Sequence, residues 1–383
     1  MSQTRILIVD DQVTLRHLLR EAMKEFINLE IAGSVSNGKL ALSKIPQVNP
    51  DIIFLDVDMP EENGLQTLLK IRKTYPDLPV LMLAHRKEPR QAAMVLDAMA
   101  AGANGYIFKP KNSSPSAGQQ EGLRREILAK IKSFSPELQL TPARLESKTK
   151  PLSQVGNAAP PTQISHHPRV DGTVKKPRRV DILAIGVSTG GPQALAKILP
   201  SFSKDFPVPI VIVQHMPVNF TDLLAKRLHA KSSINVAEAR DGDILEPGGA
   251  WLAPGDRHMI VKRVTDKICI HTHRGPPENS CRPAVDVLFH SVAQTFGGGT
   301  LAVVLTGMGR DGLRGCEKIH ATGGKIWVQD EDSSVVWGMP GYVHRAGLAE
   351  EIYSLETFAA NITHRVWQGQ SRPSYQTGMD ISA

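Results

Sequence analysis

The sequence has few cysteines and no long apolar segment. Its three cysteines, Cys269, Cys281 and Cys316, are odd in number and lack the spacing of metal ligands, so we expect neither a disulfide framework nor a zinc site. No run approaches the roughly 18 apolar residues that a membrane span needs. The sequence opens without a basic segment followed by an apolar core, so no signal peptide is expected. These features predict a cytoplasmic protein without direct membrane insertion.

Aromatic residues are also scarce, at 5% of 383 residues, but hydrophobic residues make up 41% and charged residues 22%. This composition is typical of a soluble globular protein, and the length allows two domains. The formal charge is +7, and part of the excess lies in the basic run 175–179. No helix-turn-helix pattern or aromatic–basic platform accompanies that run. We therefore predict no nucleic-acid binding, and a solvated tether near an acidic partner fits better.

The chain divides into four segments by pattern. Residues 1–132 alternate five short apolar strands with amphipathic helices, which predicts a doubly wound, parallel (βα)5 domain. Residues 180–367 alternate strands and helices again, with hairpin-like β structure over 250–271, and predict an α/β domain with a mainly parallel sheet and an antiparallel addition. Residues 133–179 are rich in proline and polar residues and predict a mobile linker. Residues 368–383 predict a disordered tail.

Charged side chains follow three strands of the first predicted domain. Asp10 and Asp11 follow the first strand, Asp56 the third and Lys109 the fifth. The carboxyl ends of parallel strands meet at one edge of a sheet, so these side chains should lie close together. Clustered carboxylates need a compensating cation, and Mg²⁺ suits such oxygen ligands. A carboxylate beside that ion and a lysine can accept a phosphoryl group, because both cations stabilise the transferring oxygens.

Three strand ends of the second predicted domain carry a serine, a histidine and an aspartate. Ser188 lies in a glycine-rich turn after an apolar strand, and the glycines leave its hydroxyl and nearby backbone N–H groups unobstructed. His215 and Asp311 follow two further apolar strands. Together the three form the constellation of acyl-transfer hydrolysis. We predict Ser188 as nucleophile, His215 as base and Asp311 as the group that orients the imidazole, with oxyanion donors at Thr189 and Met308.

Each of these residues has an ordinary explanation when taken alone. A glycine-flanked serine is often a tight turn, a loop histidine is usually solvated, and an aspartate before glycine is often a turn former. The alternative explanation for the three motifs together is a glycine-rich phosphate-binding loop at a helix N-terminus. The glycine spacing does not match that of a dinucleotide site, and no Gly-Lys-Ser/Thr sequence follows. A nucleotide site would also leave His215 and Asp311 unexplained.

The order Ser, His, Asp differs from the usual α/β-hydrolase order but resembles another family, the chemotaxis response-regulator protein-glutamate methylesterases, or CheB family. The resemblance spans nearly all of residues 180–350. It is carried by GVSTGG (186–191), QHMP (214–217), APGDRH (253–258), RPAVDVLF (282–289), LTGMGRDG (305–312) and WGMP (337–340).

The resemblance implies an activity that the triad alone does not. Members of this family remove methyl groups from γ-methyl glutamyl esters on the cytoplasmic helices of methyl-accepting chemoreceptors and deamidate certain receptor glutamines, which gives chemosensory adaptation. A sensor histidine kinase of the chemotaxis pathway is the implied second partner. No cofactor is expected for the esterase. Arg282 could bind an acidic substrate or form a structural salt bridge, and the sequence leaves both open.

The first domain resembles a two-component receiver. The matching residues are Asp10-Asp11, Asp56 to Pro60, Asn63-Gly64 and Lys109-Pro110. The resemblance implies Asp56 as phosphoacceptor, Lys109 as a phosphate contact, and Asp10, Asp11, Asp56 and Asp58 as the set that holds Mg²⁺. It also implies that the unphosphorylated receiver covers the esterase edge.

One position departs from the receiver pattern. Receivers place Thr or Ser at the end of the fourth strand, where its hydroxyl bonds the new phosphoryl group. Ala84 stands there in this chain, so the usual switching relay is in doubt, although phosphoryl acceptance need not be. His85 is the neighbouring polar residue.

Two classes of function therefore compete. One is a phosphorylation-regulated esterase, which the sequence favours. The other is a non-enzymatic response regulator whose C-terminal module binds a partner or nucleotide through the same glycine-rich edge. Hydrolysis of a simple ester, lost on Ser188→Ala, would separate them.

Overall fold

A computed structural model describes residues 3–24, 26, 28–86, 88–110, 116–134 and 178–370. Most of the predicted linker (133–179) and of the predicted tail (368–383) lies outside the described residues. None of the described helices has the length and apolar character that a membrane crossing requires.

The N-terminal half is a five-stranded parallel sheet with helices on both faces. Its strands are β1 (Thr4–Val9), β2 (Leu29–Val35), β3 (Ile52–Asp56), β4 (Val80–His85) and β5 (Gly105–Lys109). Its helices are α1 (Val13–Met23), α2 (Gly38–Val48), α3 (Gly64–Thr74), α4 (Pro89–Ala100) and α5 (Ala117–Phe134). The strand order β2-β1-β3-β4-β5 confirms the predicted doubly wound (βα)5 fold.

Apolar residues cover both faces of this sheet, as a parallel sheet between two helical layers requires. In β1 the run Ile6 to Val9 is fully buried. Ile6 and Ile8 pack in one core cluster with α1 and α5, whereas Leu7 and Val9 pack on the other face with α2, α3 and α4. The strand ends that bear Asp10, Asp56 and Lys109 consequently share one edge.

The C-terminal half is a seven-stranded sheet with a separate hairpin. Its strands are β6 (Ile182–Val187), β7 (Ile210–Gln214), β8 (Asn235–Glu238), β9 (Gly249–Leu252), β10 (His258–Val264), β11 (Lys267–His273), β12 (Thr300–Val304), β13 (Lys325–Gln329) and β14 (Glu351–Tyr353). Its α-helices are α6 (Gly191–Ile198), α7 (Phe220–Lys231), α8 (Val285–Phe296), α9 (Leu313–Ala321), α10 (Met339–Arg345) and α11 (Leu355–Trp367). The sheet order is β14-β13-β12-β6-β7-β9-β8.

One detail of the predicted sheet is wrong. We expected the segment near 250–253 to form a hairpin with the strands after it, but β9 pairs in parallel with both β7 and β8 inside the main sheet. All described pairings of that sheet are parallel, and the antiparallel pair β10–β11 stands apart as its own two-stranded sheet. The pairing direction of a short apolar strand such as β9 cannot be predicted from its sequence. Such a strand is buried on both faces and therefore lacks the alternation of apolar and polar residues that is typical of many antiparallel strands.

The two halves contact each other through helices α4, α6 and α7. The Gln193 amide on α6 donates to the carbonyls of Met99 and Ala103, both at 2.9 Å. Arg227 on α7 pairs with the Asp97 carboxylate at 2.9 Å. Polar contacts of this kind are typical of interfaces between domains of one chain.

An aromatic cluster continues the contact toward β5. The rings of Tyr106 and Phe108 lie 5.7 Å and 5.6 Å from the ring of Phe220 at the start of α7. Such ring contacts add to the energy of apolar burial. The fifth strand of the first domain thus packs directly on the second domain.

Candidate active site

Ser188 stands at the turn between β6 and α6, held by its backbone. Its N–H donates to the Thr306 carbonyl at 3.0 Å, and its own carbonyl accepts from Gly191 N–H and from the Gln214 side-chain amide, both at 2.9 Å. Gly190 adopts φ 80°, a left-handed conformation that suits glycine. The turn therefore fixes the Ser188 backbone at the sheet edge and leaves its hydroxyl out of these bonds.

Gly307 approaches Ser188 from the end of β12. A Cβ added at Gly307 would lie 2.8 Å from Ser188 Cβ and 2.5 Å from the Met339 sulfur. Both distances are too short for real side chains, so this position tolerates only glycine without a shift of the neighbouring backbone.

His215 and Asp311 form the predicted pair. Nε2 of His215 lies 2.7 Å from Oδ2 of Asp311. The aspartate is buried and sits at the N-terminus of α8, where it accepts from the backbone N–H groups of Val285 and Asp286. The Asn279 amide donates to its second oxygen at 3.0 Å. These donors hold the carboxylate in one orientation.

The same contacts set the charge of Asp311. Burial alone would raise its pKa, but the hydrogen bond and charge of His215, together with the N–H groups of Val285 and Asp286, lower it below the ordinary value. The positive end of the α8 dipole acts in the same direction. Asp311 is therefore an ionised partner that favours a charged imidazole.

The other ring nitrogen of His215 points away from Asp311. Nδ1 lies 3.8 Å from the sulfur of Cys281. The described hydrogen bonds include none between the Ser188 hydroxyl and the His215 ring. Nε2 therefore faces Asp311 and Nδ1 faces Cys281, and the predicted contact with Ser188 stays a prediction.

Surrounding groups also shift the titration of His215. Desolvation opposes the charged imidazole, but Cys281 and Asp311 outweigh it, so the pKa of His215 is raised above its usual value. A histidine in this setting keeps its proton to higher pH than one in water.

The predicted oxyanion residues flank Ser188. The hydroxyl of Thr189 accepts from Lys130 of α5 at 3.2 Å. Among the described hydrogen bonds, neither the Thr189 nor the Met308 backbone N–H donates to a protein acceptor. The oxyanion role of these two groups stays a prediction.

The first domain brings its own predicted residues together. Lys109 Nζ lies 2.8 Å from the Asp10 carboxylate and 2.7 Å from that of Asp56, and all three groups are buried. Burial raises the pKa of Asp56 to about 7; the charge of Lys109 opposes this shift, and that of Asp10 adds to it. These groups lie at the carboxyl edge of the sheet.

The carboxylates of this cluster fit a divalent cation. Oxygens of Asp10, Asp11 and Asp56 lie within 4.8 Å of one another. The buried Oδ1 of Asp11 has no hydrogen-bond partner among the described residues, and an orphaned buried acceptor of this kind suits a hard cation. The Asp58 side chain is not in this group; its backbone N–H donates to Asp56 Oδ1 at 3.2 Å.

Ala84 lies beside the aromatic cluster rather than at the surface. It is fully buried, and its Cα pairs with that of Phe108 across β4 and β5. The neighbouring His85 donates its backbone N–H to Gln91 at 2.6 Å. No side-chain hydrogen bond of His85 is among those of the described residues.

Sequence reasoning missed several residues of the site. Asn279 and Cys281 come from a loop that no periodic pattern marks, and Lys130 comes from the other domain. Gln214 belongs to the QHMP motif, but the hydrogen bond from its amide to the Ser188 carbonyl could not be predicted without the fold. Arg282 pairs with Asp256 at 2.5 Å, which supports the structural explanation of that arginine.

Comparison with known proteins gives the family. Residues 183–362 match the CheB methylesterase family, and residues 6–115 match the response regulator receiver domain. The protein-glutamate methylesterase/protein-glutamine glutaminase of Trichodesmium erythraeum is 47% identical over 366 residues, covering 96% of this chain and 100% of that protein. The protein of the same name from Nocardioides sp. is 39% identical over 376 residues, covering 98% of each.

A solved structure is similar to the second half of the chain. The crystal structure of the Thermotoga maritima CheB methylesterase catalytic domain is 39% identical, covers 49% of this chain and 99% of that one, and has a TM-score of 0.48. The relatives above extend over nearly the whole length of both proteins. The chain therefore belongs to the CheB methylesterase family, in the form that carries an N-terminal response regulator receiver domain.

Proposed function

We propose that this chain is a protein-glutamate methylesterase and protein-glutamine glutaminase that acts through Ser188, His215 and Asp311. The observation that carries the proposal is the 2.7 Å pairing of His215 with the buried, ionised Asp311, beside a serine fixed at the same sheet edge. A histidine oriented by a carboxylate is what a neutral serine needs to become a nucleophile.

The orientation of the His215 ring supports the following proton path. His215 Nδ1 takes the proton of the Ser188 hydroxyl as its oxygen attacks the ester carbonyl, while Asp311 stabilises the imidazolium through Nε2. The same nitrogen returns the proton to the leaving methanol, or to ammonia when a glutamine reacts. Water then cleaves the acyl-enzyme with His215 again as base. The N–H groups of Thr189 and Met308 stabilise the oxyanion.

In the receiver domain, Asp56 is the proposed phosphoacceptor. Asp10, Asp11 and Asp56 would hold Mg²⁺, with Asp58 contributing at most through its backbone. The ion, when bound, neutralises charge on the transferring phosphoryl oxygens. Lys109 already contacts Asp56 and would move to contact the phosphoryl group. A sensor histidine kinase of the chemotaxis pathway is the proposed donor.

We further propose that the receiver restrains the esterase and that phosphorylation relaxes the restraint. Lys130 of the receiver contacts Thr189, the residue after the proposed nucleophile, and α4 contacts the esterase domain at Gln193 and Arg227. The proposed substrates are glutamyl methyl esters on the cytoplasmic helices of methyl-accepting chemoreceptors, and the proposed location of the protein is accordingly the cytoplasm.

Methanol release from methylated chemoreceptor fragments tests the activity. Purified wild type should release methanol, whereas Ser188→Ala should lose nearly all of that activity with an unchanged circular dichroism spectrum. Ser201→Ala, at an exposed serine after α6, is the matched control and should match wild type. Equal activity of Ser188→Ala and wild type would refute the assignment of the nucleophile.

A further inference from the structure

Cys281 touches the proposed catalytic pair but has no part in the serine mechanism. Its sulfur lies 3.8 Å from Nδ1 of His215, on the ring edge opposite Asp311. Donor atoms of Cys281, His215 and Asp311 all lie within 4.8 Å of one another. The thiol therefore borders the nitrogen through which His215 would act on Ser188.

A lysine from the other domain lies beside the turn that carries Ser188. Lys130 of α5 donates to Thr189; burial lowers the pKa of Lys130, and the charges of Glu126 and Cys281 oppose this shift. Cationic neighbours stabilise a thiolate, which is the form of cysteine that reacts with peroxides and electrophiles. Cys281 is also partly exposed, whereas Cys316 lies within α9 and is buried.

The loop that carries Cys281 is attached to the catalytic aspartate. Backbone hydrogen bonds join Glu278 and Cys281 in both directions, at 3.0 and 2.8 Å. Between them, Asn279 donates to Asp311 and to Asp286. A group added to Cys281 would consequently be held against the His215 ring and could not swing away with a free loop.

We propose that Cys281 is a thiol-modification site through which peroxide reversibly switches off the esterase. The thiolate sulfur attacks one oxygen of hydrogen peroxide, an S–O bond forms as the O–O bond breaks, and the departing hydroxide takes the proton of the His215 imidazolium to leave as water. Sulfur is oxidised by two electrons and the peroxide is reduced. The sulfenic acid then condenses with a low-molecular-weight thiol such as glutathione, releasing water and leaving a mixed disulfide.

Either adduct occupies the space beside His215 Nδ1, so that Ser188 can no longer transfer its proton there. A second thiol reverses the block by attacking the mixed disulfide and releasing Cys281. The inhibitory effect rests on the proposed role of His215, but the reactivity of Cys281 does not. The two are tested by separate readouts.

The first readout is chemical and needs no esterase activity. The full chain is treated with hydrogen peroxide and dimedone, and labelling of each cysteine is followed by peptide mass spectrometry. Cys281 should label at least about tenfold faster than the partly exposed Cys269, because the Cys281 sulfur contacts the His215 imidazole, which can accept its proton. His215→Ala should slow the labelling of Cys281 and leave that of Cys269 unchanged. Equal rates at the two cysteines would overturn the proposal.

The second readout is the esterase itself. Peroxide with glutathione should inactivate wild type in step with modification of Cys281, and dithiothreitol should restore the activity. Cys281→Ser should retain measurable activity and resist inactivation, whereas Cys269→Ala should be inactivated like wild type. Inactivation of Cys281→Ser at the wild-type rate would overturn the proposal. If Cys281 labels rapidly but Ser188→Ala retains esterase activity, the serine mechanism fails and the reactive thiol stands.

Discussion

The contact between the Gln193 amide and the receiver offers a direct test of restraint by the receiver. Gln193→Ala removes the two hydrogen bonds to the carbonyls of Met99 and Ala103. A hydrogen bond contributes roughly 0.5–1.5 kcal/mol net, so the docked state should lose about 1–3 kcal/mol. The Met99 carbonyl keeps a bond from Gly102 N–H, and in the wild type the Oε1 atom of Gln193 is buried without a hydrogen-bond partner among the described residues. Both facts favour the lower end of that range.

A loss of about 1 kcal/mol shifts the equilibrium between docked and released receiver about fivefold toward release, because about 1.4 kcal/mol corresponds to tenfold. Basal esterase activity of the unphosphorylated full chain should therefore rise about fivefold. The rise cannot exceed the gain obtained by deleting residues 1–178. The assay is the initial rate of methyl ester hydrolysis without any phosphoryl donor.

The control for this test is the same substitution in the chain that lacks residues 1–178. There Gln193→Ala should leave the rate unchanged, since the receiver is absent, provided that circular dichroism shows a folded domain. A rise of equal size in both chains would mean that Gln193 acts on the catalytic site itself. An unchanged rate in the full chain, or a deletion variant no more active than the full chain, would refute restraint by the receiver and leave recruitment as its role.

Three further predictions concern the two sites. Because the pKa of His215 is raised and only the neutral ring accepts a proton, kcat/KM should still rise with pH above 6.5. In Cys281→Ala this rise should move to lower pH. An unmoved profile would show that Cys281 does not raise the pKa of His215. Acetyl phosphate with Mg²⁺ should add one base-labile phosphoryl group, which Asp56→Asn or removal of Mg²⁺ prevents; labelling that persists in Asp56→Asn would place the acceptor elsewhere. Gly307→Ala should lower kcat more than it raises KM, since its Cβ would displace Ser188; wild-type kinetics would show that the turn adapts.

The Ala84 position adds one prediction about switching. A threonine there would place a hydroxyl at the carboxyl end of β4, next to the strand whose aromatic residues pack on Phe220. Activation of the wild-type chain by phosphoryl donors should be smaller than activation by deletion of residues 1–178, and Ala84→Thr should enlarge it. Equal activation of wild type and Ala84→Thr would show that coupling does not need this hydroxyl.

The strand-end residues could be predicted because parallel sheets bring carboxyl ends to one edge. Ser188, His215 and Asp311 all follow apolar strands, and in the sheet β6 lies between β12 and β7. Asp10, Asp56 and Lys109 follow the same logic in the receiver. To predict where these residues lie, it is enough to identify each strand and its direction in the sheet.

The remaining parts of the site depend on information that a single strand does not carry. Asn279 and Cys281 reach the triad because their loop hydrogen-bonds to Asp311, which lies more than 30 residues away. The pairing of β9 depends on its neighbours β7 and β8. Lys130 depends on how the two domains dock. Each of these results from packing between distant segments rather than from local pattern.

The position of Asp311 far along the chain has a consequence for synthesis. The ribosome makes the receiver first, and domains made early can fold before later ones are complete. Ser188 and His215 emerge next, but β12 and Asp311 follow about 100 residues after His215. The proposed nucleophile and its proposed base therefore exist for a time in a nascent chain that lacks their proposed aspartate partner. When Asp311 is added, the receiver is already present, so the proposed triad is completed only after the receiver has been made.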